Sequence, residues 1–121
     1  MSGRGGARAG GGPSDGGSAP WVGVLQVEVG CPWVHSLKEK RALVVPLLER
    51  WRRGYSLSVA RIAGLDAHGW ERLAVVAVDA DRERLTGVLR RAEAAVREAG
   101  LELRAARIDV ETWDPLSRTL S

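Results

Sequence analysis

Between residues 21 and 112 the apolar side chains switch repeatedly between a period of two and a period near 3.6, and the order of those switches leaves few folds open. Residues 21–29 read W-V-G-V-L-Q-V-E-V, with Gln26 and Glu28 alternating against Leu25, Val27 and Val29. This is the pattern of a strand with one buried face. Residues 37–53 repeat at helical spacing and put Leu37, Val44, Leu47, Leu48 and Trp51 on one side. Pro46 lies inside that helix, where it removes an amide and crowds the carbonyl of Ala42, so a kink or a helix in two pieces is expected.

Gly54 closes the first helix. A second strand over 56–65 contains Leu57, Val59 and Ile62, the turn-rich Asp66-Ala67-His68-Gly69 follows, and a third strand spans 70–78. So short a link predicts an antiparallel hairpin. The apolar run 73–78 predicts a third strand that is central and covered on much of both faces. A second helix starts near 79–81 and stops at Gly100, with Leu85, Val88, Leu89, Ala92, Val96 and Ala99 in one stripe. In the last strand, 103–112, Ala106, Ile108 and Val110 alternate with Arg107, Asp109 and Glu111.

The order β-α-β-β-α-β, with two right-handed crossovers joined by a hairpin, predicts an α+β, ferredoxin-like domain: a four-stranded antiparallel sheet with both helices on one face. Strands one and three then lie in the middle. The open face should carry Gln26, Glu28, Arg107, Asp109 and Glu111, a mixed-charge surface suited to solvent or to a partner's sheet.

The domain is expected over 21–113. Residues 1–20 hold eight of the fifteen glycines, three serines and almost no apolar side chain, which is a composition that cannot offset its backbone entropy. They read as a disordered tail, and 114–121 as a short C-terminal one. The first twenty residues lack the apolar core of a signal peptide and no later segment has the length of a membrane span, so a cytoplasmic protein is expected. A single cysteine, Cys31, excludes an internal disulfide, and two distant histidines give metal binding no support. No cofactor is expected.

Residues 35–41, H-S-L-K-E-K-R, carry the clearest functional signal. Ser36 and Glu39 have the spacing of a capping box, which fixes the helix start at Leu37. A helix start leaves amides free and carries partial positive charge, so Lys38, Lys40 and Arg41 reinforce a site suited to phosphate, with His35 and Ser36 beside it. Arg50, Arg52 and Arg53 extend the basic character to the other end of the helix. The charge distribution agrees, since residues 1–60 carry 8 Lys/Arg against 4 Asp/Glu while 61–121 carry 10 against 11. The competing reading is a well-capped helix with a solvated basic face.

Residues 21–112 resemble the small bacterial YlxP-like proteins, a family of unknown function. The resemblance rests on V-G-V-L-Q-V-E-V leading into H-S-L-K-E-K-R, on L-L-E-R-W-R-R (47–53) and on S-V-A-R-I (58–62), with a looser match in Asp66, Trp70, Glu71 and Arg72 and the following A-V-V-A-V-D-A-D. Pro46 and the Gly-rich tail depart from the family. The resemblance implies a ferredoxin-like fold and a gene setting among translation genes, commonly between those of initiation factor 2 and ribosome-binding factor A, and hence a role in small-subunit assembly. It brings no catalytic residues.

Three functions follow. The first is a non-enzymatic ribosome- or RNA-associated factor gripping phosphates of the small ribosomal subunit from the basic helix. The second is a homodimer or protein-interaction module using the open sheet face. The third, an acylphosphatase-type enzyme, needs an arginine in the loop before the helix and a carboxamide to position water; residues 30–35 contain no Arg and the chain contains no Asn. Trp33 is the one residue placed to stack on a base, although a loop tryptophan folded over the core edge is the default. Cys31 reads as a small buried residue, His35 as bonded to its own loop, His68 as an exposed turn residue, and Arg90 and Arg91 as a solvated helix face.

Overall fold

In a computed structural model the chain is described over residues 19–114. The expected tails lie outside the described residues except for Ala19, Pro20 and Asp114, and the Pro20 carbonyl accepts from the Trp113 amide at 3.0 Å. The elements are β1 (Trp21–Gly30), α1 (Leu37–Gly54), β2 (Ser58–Ala63), β3 (Trp70–Asp79), α2 (Arg82–Glu98) and β4 (Glu102–Thr112). They form one antiparallel sheet in the order β2-β3-β1-β4 with β1 and β3 central, the ferredoxin-like arrangement.

The core lies between the inner sheet face and the helices. Leu25, Val27 and Val29 of β1 and Leu73 and Val75 of β3 meet Val44, Leu47, Leu48 and Trp51 of α1 and Leu85, Leu89, Ala92 and Val96 of α2. The buried indole of Trp51 donates to the Ala92 carbonyl at 2.9 Å, which ties the two helices together. Gly23 lets α2 sit down on β1, because a Cβ there would come within 2.6 Å of Leu89 Cδ1.

Several expectations are corrected. The second strand is shorter than 56–65: Ser56 and Gly64 both have positive φ, and the carbonyls of Gly64 and Leu65 are drawn out of the ladder by a side chain of α1. Helix α1 is one element through Pro46 and not two pieces. Pro46 and Ala42 both lie on the exposed side of the helix. On its inner stripe the place expected for Leu37, which is exposed, belongs to Lys40.

The third strand is central but not covered on both faces. Val76 and Val78 point to the open side, with Val78 66% exposed. Through the register Val24↔Val76 and Val22↔Val78, and with Ile62 of β2 at 51% exposure, half of that face is apolar. The mixed-charge surface is Gln26, Glu28, Arg107, Asp109 and Glu111 along β1 and β4, joined by Arg72 of β3, which pairs with Glu28 at 3.0 Å.

Candidate nucleic-acid interface

The start of α1 has the expected cap. Ser36 is the N-cap, its hydroxyl accepting from the Glu39 amide at 3.1 Å, while the Glu39 carboxylate accepts from the His35 amide at 2.6 Å. Ser36 and Glu39 are therefore committed to the helix. The His35 side chain is exposed beside them.

The loop before the cap is fastened to the core on both sides. Cys31 and Val34 are buried, and the Val34 amide donates to the Cys31 carbonyl at 3.2 Å, closing a turn with Pro32 and Trp33 at its centre. The Cys31 amide donates to the Gly69 carbonyl at 2.8 Å, which joins this loop to the β2–β3 connection. Burial pushes the Cys31 thiol up, against the smaller opposing influence of Lys40 and Arg104. That is the environment of a packing residue rather than a thiolate. Trp33 is 49% exposed.

Lys40 leaves the expected phosphate-binding set. With 1% exposure, its ammonium donates to the carbonyls of Ala67 (2.6 Å), Gly64 (2.7 Å), Leu65 (3.3 Å) and Trp70 (3.3 Å), and lies 3.2 Å from Glu71 Oε1. Glu71 in turn receives Arg61 in bidentate form, Nε to Oε2 at 2.5 Å and Nη2 to Oε1 at 3.0 Å. Burial alone would raise the Glu71 carboxyl, but the hydrogen bonds from Arg61 and Lys40 outweigh it and hold the group below the ordinary glutamate range.

Sequence reasoning misses both roles, yet a signal for each is present. Residue 40 falls on the same face as 44, 47 and 51, and residue 71 shares the inward register of 73 and 75.

The remaining cations of α1 stay at the surface. Arg50 pairs with Glu98 of α2 at 2.6 Å, and the hydrogen bonds it donates to Glu98 and Tyr55 raise its pKa further. Arg53 pairs with Glu49 at 3.3 Å. Lys38, Arg41 and Arg52 are exposed and, among the described residues, have no acidic partner within salt-bridge distance. At helical pitch these three fall within roughly 60° of each other around the axis, with Lys38 and Arg52 about 21 Å apart along it.

Helix α2 adds Arg90, Arg91 and Arg97, also exposed and outside every ion pair of the described residues. Together the helices carry eleven Lys/Arg against five Asp/Glu, whereas the strands carry four against six. The molecule is thus electrically polar, with a basic helical layer and a sheet that is acidic or apolar. No described helix is long and apolar enough to cross a membrane.

The family described as protein of unknown function DUF503 matches residues 22–110, both helices and all of the sheet but the outermost residues of β1 and β4. The chain belongs to the DUF503 family. No curated protein matches this DUF503 chain. Among solved structures it is similar to a de novo designed protein, Foldit4, with 17% identity and a TM-score of 0.43, covering 78% of this chain and 96% of that one.

Proposed function

We propose that this DUF503 protein is a non-enzymatic, RNA-associated factor whose helical layer grips the phosphates of a structured RNA. The observation that carries the reading is the unpaired trio Lys38, Arg41 and Arg52 along one flank of α1, within a helical layer of net positive charge. Contacts of this kind hold an RNA helix by its backbone without reading its sequence. The resemblance to YlxP-like proteins narrows the partner to RNA of the small ribosomal subunit or its precursor, and the action to subunit assembly in the cytoplasm.

Sedimentation with ribosomal particles across a salt series tests this, beside a Lys38→Ala, Arg41→Ala, Arg52→Ala variant. Co-migration with small-subunit particles, lost with salt and in the variant, is expected. Absence of the wild type from every ribosomal fraction at low salt would overturn the reading.

A second reading, a homodimer or protein-interaction module, is favoured by the exposed Ile62, Val76 and Val78 of the open sheet face. A mass that stays monomeric at all concentrations, with no co-purifying partner, would count against it.

A further inference from the structure

We propose that Trp33 is a stacking platform for an unpaired base, so that the RNA bound by this protein carries a single-stranded loop, bulge or end next to the helix whose phosphates α1 holds. The inference rests on the RNA-associated reading and names the class of RNA.

Trp33 occupies the third position of a four-residue turn, after Pro32, whose ring fixes its own φ, and the turn is closed by the Val34 to Cys31 hydrogen bond. Buried Cys31 and Val34 anchor the turn on either side, the Cys31 amide is bound to Gly69, and the His35 amide to Glu39. The flanking residues are thus held, while the large aromatic side chain itself is half exposed. A half-exposed aromatic ring on a turn whose backbone is held presents apolar surface that a planar partner can cover.

Charge then selects the partner. The helix that follows presents unpaired Lys38 and Arg41 in its first turns, and the acid between them, Glu39, is engaged by the His35 amide. A flat π-surface in the turn that leads into a helix start bearing cations fits a nucleobase joined to a phosphodiester: the base stacks and the phosphates meet the cations. An A-form duplex has no free base face to offer except at its ends, so only an unpaired nucleotide uses both parts of the surface.

The test is binding, by fluorescence anisotropy, of two labelled RNAs of equal charge, a hairpin with an unpaired loop and a fully paired blunt duplex, to the full chain. Wild type should prefer the hairpin, and Trp33→Ala should remove that preference, weakening hairpin binding roughly 5- to 100-fold with little change for the duplex. Trp33→Phe, which keeps a π-face, should retain most of the preference. The salt slope should be the same in all three, since stacking displaces no counterions.

Equal affinity of Trp33→Ala and wild type for the hairpin would overturn the platform while leaving phosphate binding in place. Failure of the wild type to bind either RNA at low salt would overturn both. Circular dichroism of Trp33→Ala, expected to match wild type because the side chain is half exposed, separates lost stacking from lost folding.

Discussion

Lys40 Nζ and Glu71 Oε1 lie 3.2 Å apart with both side chains shielded from water, and this contact joins the first turn of α1 to the start of β3. The ammonium also gathers four carbonyls from residues 64–70, of which that of Gly64 accepts from the Ala67 amide as well. Three N–H donors shared among five oxygens make Lys40 the fastener of the hairpin connection, and through Gly69 and Cys31 that connection supports the turn bearing Trp33. A cation in the motif most suggestive of phosphate binding thus acts inside the fold.

Replacing Lys40 with methionine, which keeps most of the length of the side chain, should therefore destabilise the protein by about 3–5 kcal/mol, the range for breaking a buried pair from one side. Urea denaturation measures it. In a Glu71→Gln background the same change should cost less, because no buried carboxylate is then left with Arg61 as its one cation; equal costs in the two backgrounds would mean that the pair is not coupled.

Stability should fall in acid through the same cluster. The Glu71 carboxyl is held below its ordinary value of 4.5, so its contribution is fully present above that value and is lost as the pH drops through the lower folded value. Asp79, lowered by its hydrogen bonds from Arg84 and the Asp81 amide, acts in the same direction. Midpoints of urea unfolding measured from neutral pH downward should decline below pH 4.5, and Glu71→Gln should flatten the decline. An unchanged profile in Glu71→Gln would assign the acid loss elsewhere.

The fold is legible in the sequence because its signals are local. Alternation marks each strand, and the caps mark each helix: Ser36 opens α1, Asp81 accepts from the amides of Glu83 and Arg84 to open α2, and Gly100 closes it at φ +87°. The surface is less legible, because exposure is decided between elements. Lys38, Lys40 and Arg41 look equivalent in sequence, and only the packing of α1 over β2, which brings Lys40 to Glu71 of β3, separates the inward residue from the outward two. The apolar run of β3 gives no hint that Val76 and Val78 face outward, since a continuous run suits a strand covered once or twice. Arg90, Arg91 and Arg97 gain weight only because α2 shares a layer with α1.

That division of the cations predicts how the salt dependence of RNA binding responds to each. Lys38, Arg41 and Arg52 have no acid among the described residues to satisfy them, so each is free to displace a counterion from RNA, whereas Arg50 and Arg53 must first leave Glu98 and Glu49. The Lys38→Ala, Arg41→Ala, Arg52→Ala variant should fold as stably as wild type, within about 0.5 kcal/mol per exposed site, yet lower the slope of log K against log salt by about 2 to 3. An Arg50→Ala, Arg53→Ala variant should lower it by less per residue. A slope unchanged in the triple variant while RNA still binds would move the contact off the flank of α1, and the exposed arginines of α2 would then be the surface to replace.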